Sequence, residues 1–401
     1  MDTTSSENRD QTLQRRSQRM ERLAETTKGS AMGTLLRKFW HPIAVADQLK
    51  AGKAIPLKIM GEELTLYRGD SGKVHLVAGR CAHRRTLLHT GWIEGEHIRC
   101  MYHGWQYDGD GACIHQPAER EPLNCSVRIA AYPVREYGKL IFGFLGEGEA
   151  PDFDFVRRAE VDADNALVFA RSETWDCNWV QHIENSLDAV HVSFAHQTGK
   201  VGVFGDAISV DVPELQYNET DSGICQLAIR PGNRVRVSDW TFPNCNRVMI
   251  PGLAEGDPWF FVNHWMVPHD DHRTSRIAMI ATQSTNPETD RRIADYFAKC
   301  RHYDAADHHD ALFRGEYPTD PLIELTSAQD YVALIGQGAI ADRTNEWLGQ
   351  SDAGVAKLRS ILWREMDEAQ QGRTSKVWRR PAEGMELTAG AVQSTAAAPG
   401  G

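Results

Sequence analysis

Residues 81–119 read CAHRRTLLHTGWIEGEHIRCMYHGWQYDGDGACIHQPAE and contain two cysteine–histidine pairs. Cys81 and His83 form the first pair, and Cys100 and His103 form the second. A structural zinc ion usually takes its ligands from a pair of cysteines and a pair of histidines. Two mixed pairs instead suit a two-iron cluster, in which both cysteines bind one iron and both histidines bind the other. The spacing favours a [2Fe–2S] cluster over a zinc site. It also favours the cluster over the alternative that the four residues lie in loops and bind no metal.

The sequence around these pairs predicts a small antiparallel β domain. Between about residues 52 and 146, short strand-like runs are separated by turn sequences such as Gly69–Gly72 and Asp108–Gly111. Glycine and aspartate favour tight turns because glycine adopts positive φ and aspartate bonds to nearby amides.

A second group of residues points to a mononuclear metal site. Asn185, Asp188, His191 and His196 lie at the end of a segment, near 178–194, whose pattern predicts a helix. Iron(II) that activates O₂ takes two imidazoles and one carboxylate on one face. On a regular helix the two histidines would point about 140° apart, so a shared ion predicts that the helix unwinds or bulges between them. The alternative is an amphipathic helix with two solvated histidines.

Together, and in this order, the two groups resemble the oxygenase subunits of the Rieske non-haem iron oxygenases. The resemblance implies that Cys81, His83, Cys100 and His103 hold a Rieske [2Fe–2S] cluster. Imidazole in place of two thiolates lowers the negative charge of such a cluster and raises its potential, so it can accept electrons from a flavin or a ferredoxin.

The same resemblance implies that His191 and His196 bind a mononuclear non-haem iron. In the family the aspartate of this motif is not a ligand, so Asp188 is expected to link His191 to His103 of the partner subunit by hydrogen bonds. Asn185 is the other polar residue expected in the catalytic site. A carboxylate placed in this way fixes the tautomer of the imidazole that it contacts.

The third iron ligand is expected farther along the chain, where Asp320, Glu324 and Asp330 are the candidates. The segment Glu324–Gly338 resembles the C-terminal helix of the family, in which the acidic residue before an apolar run is the ligand. The resemblance therefore implies Asp330, and the alternative is an exposed aspartate on a helix.

Flanking segments, including Gly33–Pro42, Val267–Asp271 and Asp342–Glu346, are similar to the phthalate-dioxygenase-type branch. That branch includes enzymes that act on phenoxybenzoate and on methoxylated lignin-derived aromatics, and its oxygenases are typically homotrimers of α subunits. Gly146–Gly148 lacks the strand and helix that surround a dinucleotide-binding motif. Electrons are therefore expected from a separate NAD(P)H-dependent reductase, with flavin and iron–sulfur groups, directly or through a ferredoxin.

The predicted function is the oxygenase component of a multicomponent enzyme. It would insert oxygen from O₂ into an aromatic, carboxylate-bearing substrate by hydroxylation, dihydroxylation or O-dealkylation. The alternative, a Rieske-type electron-transfer protein, leaves the second group of residues without a role. The candidates for an apolar pocket or for a carboxylate partner are Phe204, Trp240, Phe260, Trp265, Arg230, Arg234 and Arg236.

The amino-acid composition argues against several other classes of protein. The 401 residues include 44 Lys+Arg and 55 Asp+Glu, and the net charge of −11 argues against general binding to nucleic acids or anionic membranes. No run approaches the roughly 18 apolar residues of a membrane span, so a cytoplasmic protein is expected.

The predicted fold is α+β, with an N-terminal all-β Rieske domain and a C-terminal α+β catalytic domain of the helix-grip type, in which helices pack on an antiparallel sheet. Its expected divisions are a disordered tail (1–28), the Rieske domain with its lead-in (29–150), the catalytic domain (151–385) and a loose C-terminal tail (386–401). Helices are expected near 287–302, 322–334 and 352–370.

Overall fold

The computed structural model describes residues 17–121, 126–196, 211–231, 234–300, 306–316 and 323–381. Its N-terminal part contains short antiparallel strands, which are, in chain order, β1 (Trp40–Val45), β2 (Lys53–Ile59), β3 (Glu62–Arg68), β4 (Val74–Ala78), β5 (Trp92–Glu94), β6 (His97–Arg99), β7 (Gln106–Tyr107), β8 (Cys113–His115), β9 (Ala131–Tyr132), β10 (Val134–Tyr137) and β11 (Leu140–Phe144). They pair in the orders β1-β11-β10, β2-β3-β4-β9 and β5-β6-β7-β8. The predicted all-β N-terminal domain is confirmed.

Turns predicted from the sequence connect these strands. The amide of Gly72 donates to the carbonyl of Gly69 at 3.0 Å, and Gly72 has a φ of 92°, a value that favours glycine. In the next predicted turn, Oδ1 of Asp108 accepts hydrogen bonds from the amides of Asp110 and Ala112.

The C-terminal part is built on a seven-stranded antiparallel sheet. Its strands are β12 (Ala166–Trp175), β13 (Glu214–Glu219), β14 (Gly223–Arg230), β15 (Arg234–Thr241), β16 (Cys245–Ile250), β17 (Phe260–Asp270) and β18 (Arg273–Gln283). Their order is β12-β18-β17-β16-β15-β14-β13. Side chains alternate between the two faces of a strand, so alternate residues of the central strands face the site described below.

Besides the helical segment at 17–24, the helices of the described residues are α1 (Ala31–Leu36), α2 (Ala159–Asp162), α3 (Trp179–Ser186), α4 (His191–Ala195), α5 (Pro287–Cys300), α6 (Ala306–Phe313), α7 (Ile323–Ile335) and α8 (Ala353–Gln370). The helices expected near 287–302, 322–334 and 352–370 are confirmed as α5, α7 and α8, whereas α6 was not expected. Within the ranges that the structure describes, no helix combines the length and the apolar character needed to cross a bilayer.

The segment 17–24 is helical and packs against the C-terminal part of the protein. The carbonyl of Leu23 accepts a hydrogen bond from the indole of Trp179 at 3.1 Å, and the carbonyl of Ala24 accepts one from the side chain of Asn178 at 3.0 Å. These bonds fix the start of α3, the helix that leads to the metal-site residues.

The expectation of a disordered tail over 1–28 is therefore wrong for residues 17–28. Met20 and Leu23, three residues apart, lie on one side of the helical segment and are buried in the core. The sequence analysis missed this short apolar side because most of the surrounding residues are charged or polar. Residues 1–16 and the tail at 386–401 lie outside the described residues.

The two parts of the chain also share backbone hydrogen bonds. The amide of Met60 donates to the carbonyl of Pro268 at 2.8 Å, and that of Gly61 donates to the carbonyl of His269 at 2.7 Å. The hydrophobic core likewise contains residues of both parts. The domain division near residue 150 stays a prediction.

Candidate metal centres and active site

The two cysteine–histidine loops of residues 81–119 share a backbone conformation. The amide of Cys81 donates to the carbonyl of Thr86, and that of Cys100 donates to the carbonyl of Trp105, both at 2.9 Å. The fifth residue of each loop, Arg85 or Gly104, returns a hydrogen bond to the cysteine carbonyl at 3.0 Å and has positive φ, of 63° and 73°. The two loops therefore share their backbone hydrogen bonds and their cysteine position, while the histidine follows two residues after Cys81 in the first loop and three residues after Cys100 in the second.

Within this pair of loops the thiols are covered and the imidazoles lie side by side. Cys81 and Cys100 are each 1% exposed, and the rings of His83 and His103 lie 4.5 Å apart. His83 stacks on Trp105 at 4.7 Å. Desolvation lowers the pKa of His103, and the charges of His83 and Arg84 lower it further, which favours the neutral imidazole that a metal binds.

The arrangement of these four donors suits two irons better than one ion. The ligands of a tetrahedral zinc lie within about 4 Å of one another. Among the described residues, the potential metal ligands that meet within 4.8 Å of one another are His191, His196 and Asp330, and the cysteine–histidine set is not among them. A two-iron cluster separates the thiolates from the imidazoles, so the residues fit this group.

The helix predicted over 178–194 is interrupted before His191. It begins after Asn178, whose side chain accepts the amide of Val180, and α3 ends at Ser186. After a break at 187–190, α4 runs through His191–Ala195 and ends at His196. The expected bulge between the two histidines is therefore wrong, because the chain is helical between them and the irregularity lies before the first one.

Contacts with the sheet hold this break in place. The carbonyl of Leu187 accepts hydrogen bonds from Gln226 Nε2 at 2.7 Å and Tyr217 Oη at 2.9 Å. These two side chains replace the partners that the carbonyl would have had in a continuous helix. Sequence analysis missed both, because they lie on strands well downstream of the break.

His191 and His196 of α4 converge with Asp330 of α7. Nε2 of His191 lies 3.5 Å from Oδ1 of Asp330, and Nε2 of His196 lies 3.3 Å from the same oxygen. That oxygen is buried and has no hydrogen-bond partner among the described residues. Two imidazole nitrogens and a carboxylate oxygen at these distances form the facial set that a non-haem iron(II) takes.

Of the other candidates for the third ligand, Asp320 lies outside the described residues, as does the side chain of Glu324. Burial acts to raise the pKa of Asp330, but the positive charges of His196 and His191 outweigh it and hold the pKa below its usual value. The carboxylate is therefore ionised, as a metal ligand must be.

Each histidine of this site contacts a second polar group through its other ring nitrogen. Nδ1 of His196 lies 3.0 Å from Oε1 of Gln329, and Nδ1 of His191 lies 3.7 Å from Oδ2 of Asp188. At His196 this acceptor fixes the tautomer that leaves Nε2 free to bind a metal. At His191 the carboxylate lies at ion-pair distance, and Nδ1 has no hydrogen-bond partner among the described residues. Gln329 was missed by the sequence analysis, although its place next to Asp330 offered a signal.

A cavity opens beside the three converging residues. Asn185 and Asp188 line it near α4. Its apolar lining includes Val248, Ile250, Phe260, Val262, Ile280 and Phe297. Of the predicted pocket aromatics, Phe260 lines the cavity, Trp240 and Trp265 lie in the core, and Phe204 lies outside the described residues.

Arginines form a polar wall of the same cavity. Arg276 lies 3.7 Å from Glu173, and Arg171 lies 3.6 Å from the same carboxylate. Nε of Arg236, in contrast, is buried and has no hydrogen-bond partner among the described residues. Burial, together with the charge of Arg230, lowers the pKa of Arg236 to about 10, so the side chain stays cationic at neutral pH.

Of the three arginines expected to meet a carboxylate, Arg236 alone among the described residues lines the cavity. Arg230 is 4% exposed and donates to the carbonyl of Asp211 at 3.0 Å. The side chain of Arg234 lies outside the described residues.

Comparison with known proteins agrees with this geometry. A model of the Rieske [2Fe–2S] domain matches residues 39–136. The chain is 30% identical over 377 residues to the 5,5'-dehydrodivanillate O-demethylase oxygenase subunit of Sphingobium sp., a match that covers 89% of this chain and 81% of that one. It is 28% identical over 369 residues to the phenoxybenzoate dioxygenase subunit alpha of Ectopseudomonas oleovorans, with 87% and 85% of the two chains covered.

The fold is also that of solved terminal oxygenases. The terminal oxygenase of carbazole 1,9a-dioxygenase from Novosphingobium sp. KA1 superimposes with a TM-score of 0.64 over 92% of this chain and 100% of that chain, at 19% identity. The chain belongs to the Rieske non-haem iron oxygenases, whose cofactors are a Rieske cluster and a mononuclear iron. Within that family it is an oxygenase component, like its mono- and dioxygenase and O-demethylase relatives.

Proposed function

We propose that His191, His196 and Asp330 hold the mononuclear iron, and that Cys81, His83, Cys100 and His103 hold the Rieske cluster. The convergence of two imidazoles on a buried carboxylate oxygen that has no hydrogen-bond partner in the described part of the chain, on the wall of a cavity, carries this proposal. When bound there, a mononuclear iron supplies O₂ activation for hydroxylation, dihydroxylation or O-dealkylation.

The proposed substrate is an aromatic carboxylate. The apolar lining around Phe260 and Phe297 suits an aromatic ring, and it also excludes water from the site. Arg236 offers a buried cation to a carboxylate, and the pairing would relieve the cost of its desolvation. Relatives are named for dehydrodivanillate, phenoxybenzoate and phthalate, which supports an aromatic acid.

We further propose that electrons arrive from a separate reductase, directly or through a ferredoxin. Two of the similar structures are complexes of the carbazole 1,9a-dioxygenase oxygenase with its ferredoxin. In this proposal Asp188 links His191 to His103 of the partner subunit, and Asn185 lies beside it on the cavity wall. The enzyme would work as a homotrimer in the cytoplasm, in the breakdown of aromatic compounds.

Two exposed surfaces support this subunit arrangement. At the cluster residues, Met101 and Tyr102 immediately precede His103 and are each 55% exposed. On the other surface, Trp347 is 93% exposed, beside a second cavity that Asp188 lines. Large apolar side chains at these exposures are typical of contact surfaces.

Iron content and the visible spectrum test the assignment of both sites. We expect three irons per chain in the reconstituted protein, and two in His196→Ala, which should keep the Rieske spectrum. Cys100→Ala should lose that spectrum. Two irons per fully reconstituted wild-type chain would instead support the electron-transfer protein.

Oxygen consumption with a surrogate reductase tests the substrate class. A panel should compare aromatic carboxylates with the matching carboxamides and with ring compounds that carry no acid. Faster coupled turnover of the acids supports the proposal, and equal rates for acids and amides would contradict it.

A further inference from the structure

We propose that Asn246 and His264, called here the polar pair, bind a hydroxyl group on the ring of the aromatic acid. The inference rests on the proposed function, in which Arg236 meets the carboxylate of that acid. It narrows the substrate class to aromatic acids that carry a ring hydroxyl, and it makes the polar pair a second determinant of specificity.

The two side chains of the polar pair lie next to each other on one face of the sheet. Asn246 of β16 and His264 of β17 are directly opposite residues of an antiparallel pair of strands, so their side chains point to the same face. Both line the cavity that His191, His196 and Asp330 also line. One ligand group in this cavity can therefore contact both side chains.

Each member of the polar pair has a buried polar atom whose hydrogen bonding is incomplete. Oδ1 of Asn246 and Nε2 of His264 are buried, and neither has a hydrogen-bond partner among the described residues. His264 as a whole is only 7% exposed. Because a buried polar atom without a partner costs free energy, two such atoms side by side on a cavity wall point to a ligand group that bonds to both.

The chemistry of the polar pair matches a hydroxyl better than a carboxylate. Burial, together with the charges of Arg276 and Arg171, lowers the pKa of His264 well below its usual value, so the imidazole is neutral at neutral pH. A neutral imidazole with its proton on Nε2 donates there, while Oδ1 of Asn246 accepts. A hydroxyl both accepts and donates, so it satisfies both atoms. An ionised carboxylate only accepts, and the cationic Arg236 is its stronger partner.

The sheet places the polar pair and the proposed carboxylate partner at different levels of the cavity. Trp240 of β15 pairs with Asn246, and Arg236 lies four residues from Trp240 on the same strand. At the rise of a β-strand, the two backbone positions are about 13 Å apart along the sheet. The paired residues Val248 and Val262 line the cavity between these levels. A ring over the two valines would therefore carry its hydroxyl on the side opposite its carboxylate.

Binding of 4-hydroxybenzoate and 4-methylbenzoate to the purified holoenzyme tests the inference. Calorimetry without a reductase measures both affinities in the absence of turnover. A methyl group is similar in size to a hydroxyl but leaves both polar atoms unpaired, so we expect the wild type to bind the hydroxy acid at least about 10-fold more tightly.

Equal affinity for the two acids, or tighter binding of the methyl acid, would overturn the inference and leave the recognition of aromatic acids intact. Failure of both acids to bind would be a different result, because it would contradict the proposed substrate class and the inference with it.

Variants locate the hydroxyl within the cavity. Asn246→Leu and His264→Phe keep much of the side-chain volume but remove the polar atoms, so each should bind the two acids about equally. Val262→Ala is the matched control, since it trims the apolar lining beside His264 and should weaken both acids while keeping the wild-type ratio. Arg236→Gln should likewise weaken both acids and keep the ratio.

Retention of the wild-type ratio in Asn246→Leu and His264→Phe would overturn the inference. If both acids were weakened equally there, the carboxylate and not the hydroxyl would lie at the polar pair. The comparison of the two acids on the wild type needs no variant, so it decides the inference even where a substitution prevents folding.

Discussion

The carboxylate of Asp188 contacts His191 through both of its oxygens. Oδ1 accepts the backbone amide of His191 at 3.2 Å, and Oδ2 lies 3.7 Å from its Nδ1. Burial acts to raise the pKa of Asp188, but the contact with His191 outweighs it and keeps the pKa below its usual value. One ionised side chain thus caps the start of α4 and places its negative charge beside the ring of a proposed iron ligand.

Asp188→Asn should block electron transfer between the metal sites. Asparagine has nearly the same volume and keeps an oxygen for the amides, but it loses the charge and one acceptor, so both sites should still load with iron. We expect reoxidation of the pre-reduced cluster by O₂ and substrate to slow by about 100-fold in a single turnover.

Asp342→Asn is the control, because Asp342 lines the second cavity together with Asp188 but bonds to Thr344 and Asn345. The pre-reduced cluster of Asp342→Asn should be reoxidised at the wild-type rate. Reoxidation of Asp188→Asn at that same rate would mean that electrons do not pass through this residue.

Gln329→Leu should weaken iron binding at the mononuclear site. It removes the acceptor of His196 Nδ1, so the ring can rotate or change tautomer, and losses of about 10- to 100-fold in metal affinity are usual for such contacts. Competition with a chelator measures the affinity, while the Rieske spectrum serves as an internal control. Gln329→Glu keeps the acceptor and should retain more iron than the leucine variant, and equal retention would count against this role.

Arg236→Gln should raise the KM for an aromatic carboxylate by about 10- to 100-fold, because a charge-assisted hydrogen bond in a buried site is lost. The matching carboxamide provides the comparison, since it cannot form the ion pair in either protein. Steady-state oxygen uptake gives the KM for the acid and the KM for the carboxamide in each protein. A similar loss with acid and amide would show that Arg236 shapes the pocket without recognising the acid.

Asp239→Asn should stabilise the protein near neutral pH. Asp239 is 1% exposed, and its carboxylate oxygens have no hydrogen-bond partner among the described residues. Burial outweighs the opposing charge of Arg247, 3.6 Å away, and raises the pKa of Asp239 to about 6. The folded state therefore binds the proton more tightly than the unfolded state, so this group costs stability as the pH rises from about 4 to above 6.

Denaturant unfolding at several pH values measures this effect. We expect Asp239→Asn to exceed the wild type by about 1–3 kcal/mol at pH 7.5, with the difference shrinking as the pH falls towards 5. A constant difference across this range would mean that titration of Asp239 is not its cause.

The sequence predicted those features that depend on residues close together along the chain. Local sequence patterns account for the short strands with their glycine turns and for the helices α5, α7 and α8. Family resemblance accounts for the choice of Asp330 over Asp320 and Glu324 as the third iron ligand. Neither accounts for the break before α4, because Leu187 is held by Tyr217 of β13 and Gln226 of β14, two strands that come later in the chain. Gln329 likewise has a role only once α4 packs beside α7.

The attachment of segment 17–24 to the start of α3 bears on how this enzyme can be re-engineered. The carbonyls of Leu23 and Ala24 hold Trp179 and Asn178, so residues ahead of the Rieske domain help to build the catalytic one. A chimera that exchanges everything before residue 150 would replace this support with a foreign sequence. The Rieske domain therefore cannot be exchanged together with everything that precedes it. A chimera that retains catalytic-domain support would keep segment 17–24 and begin the exchange after it.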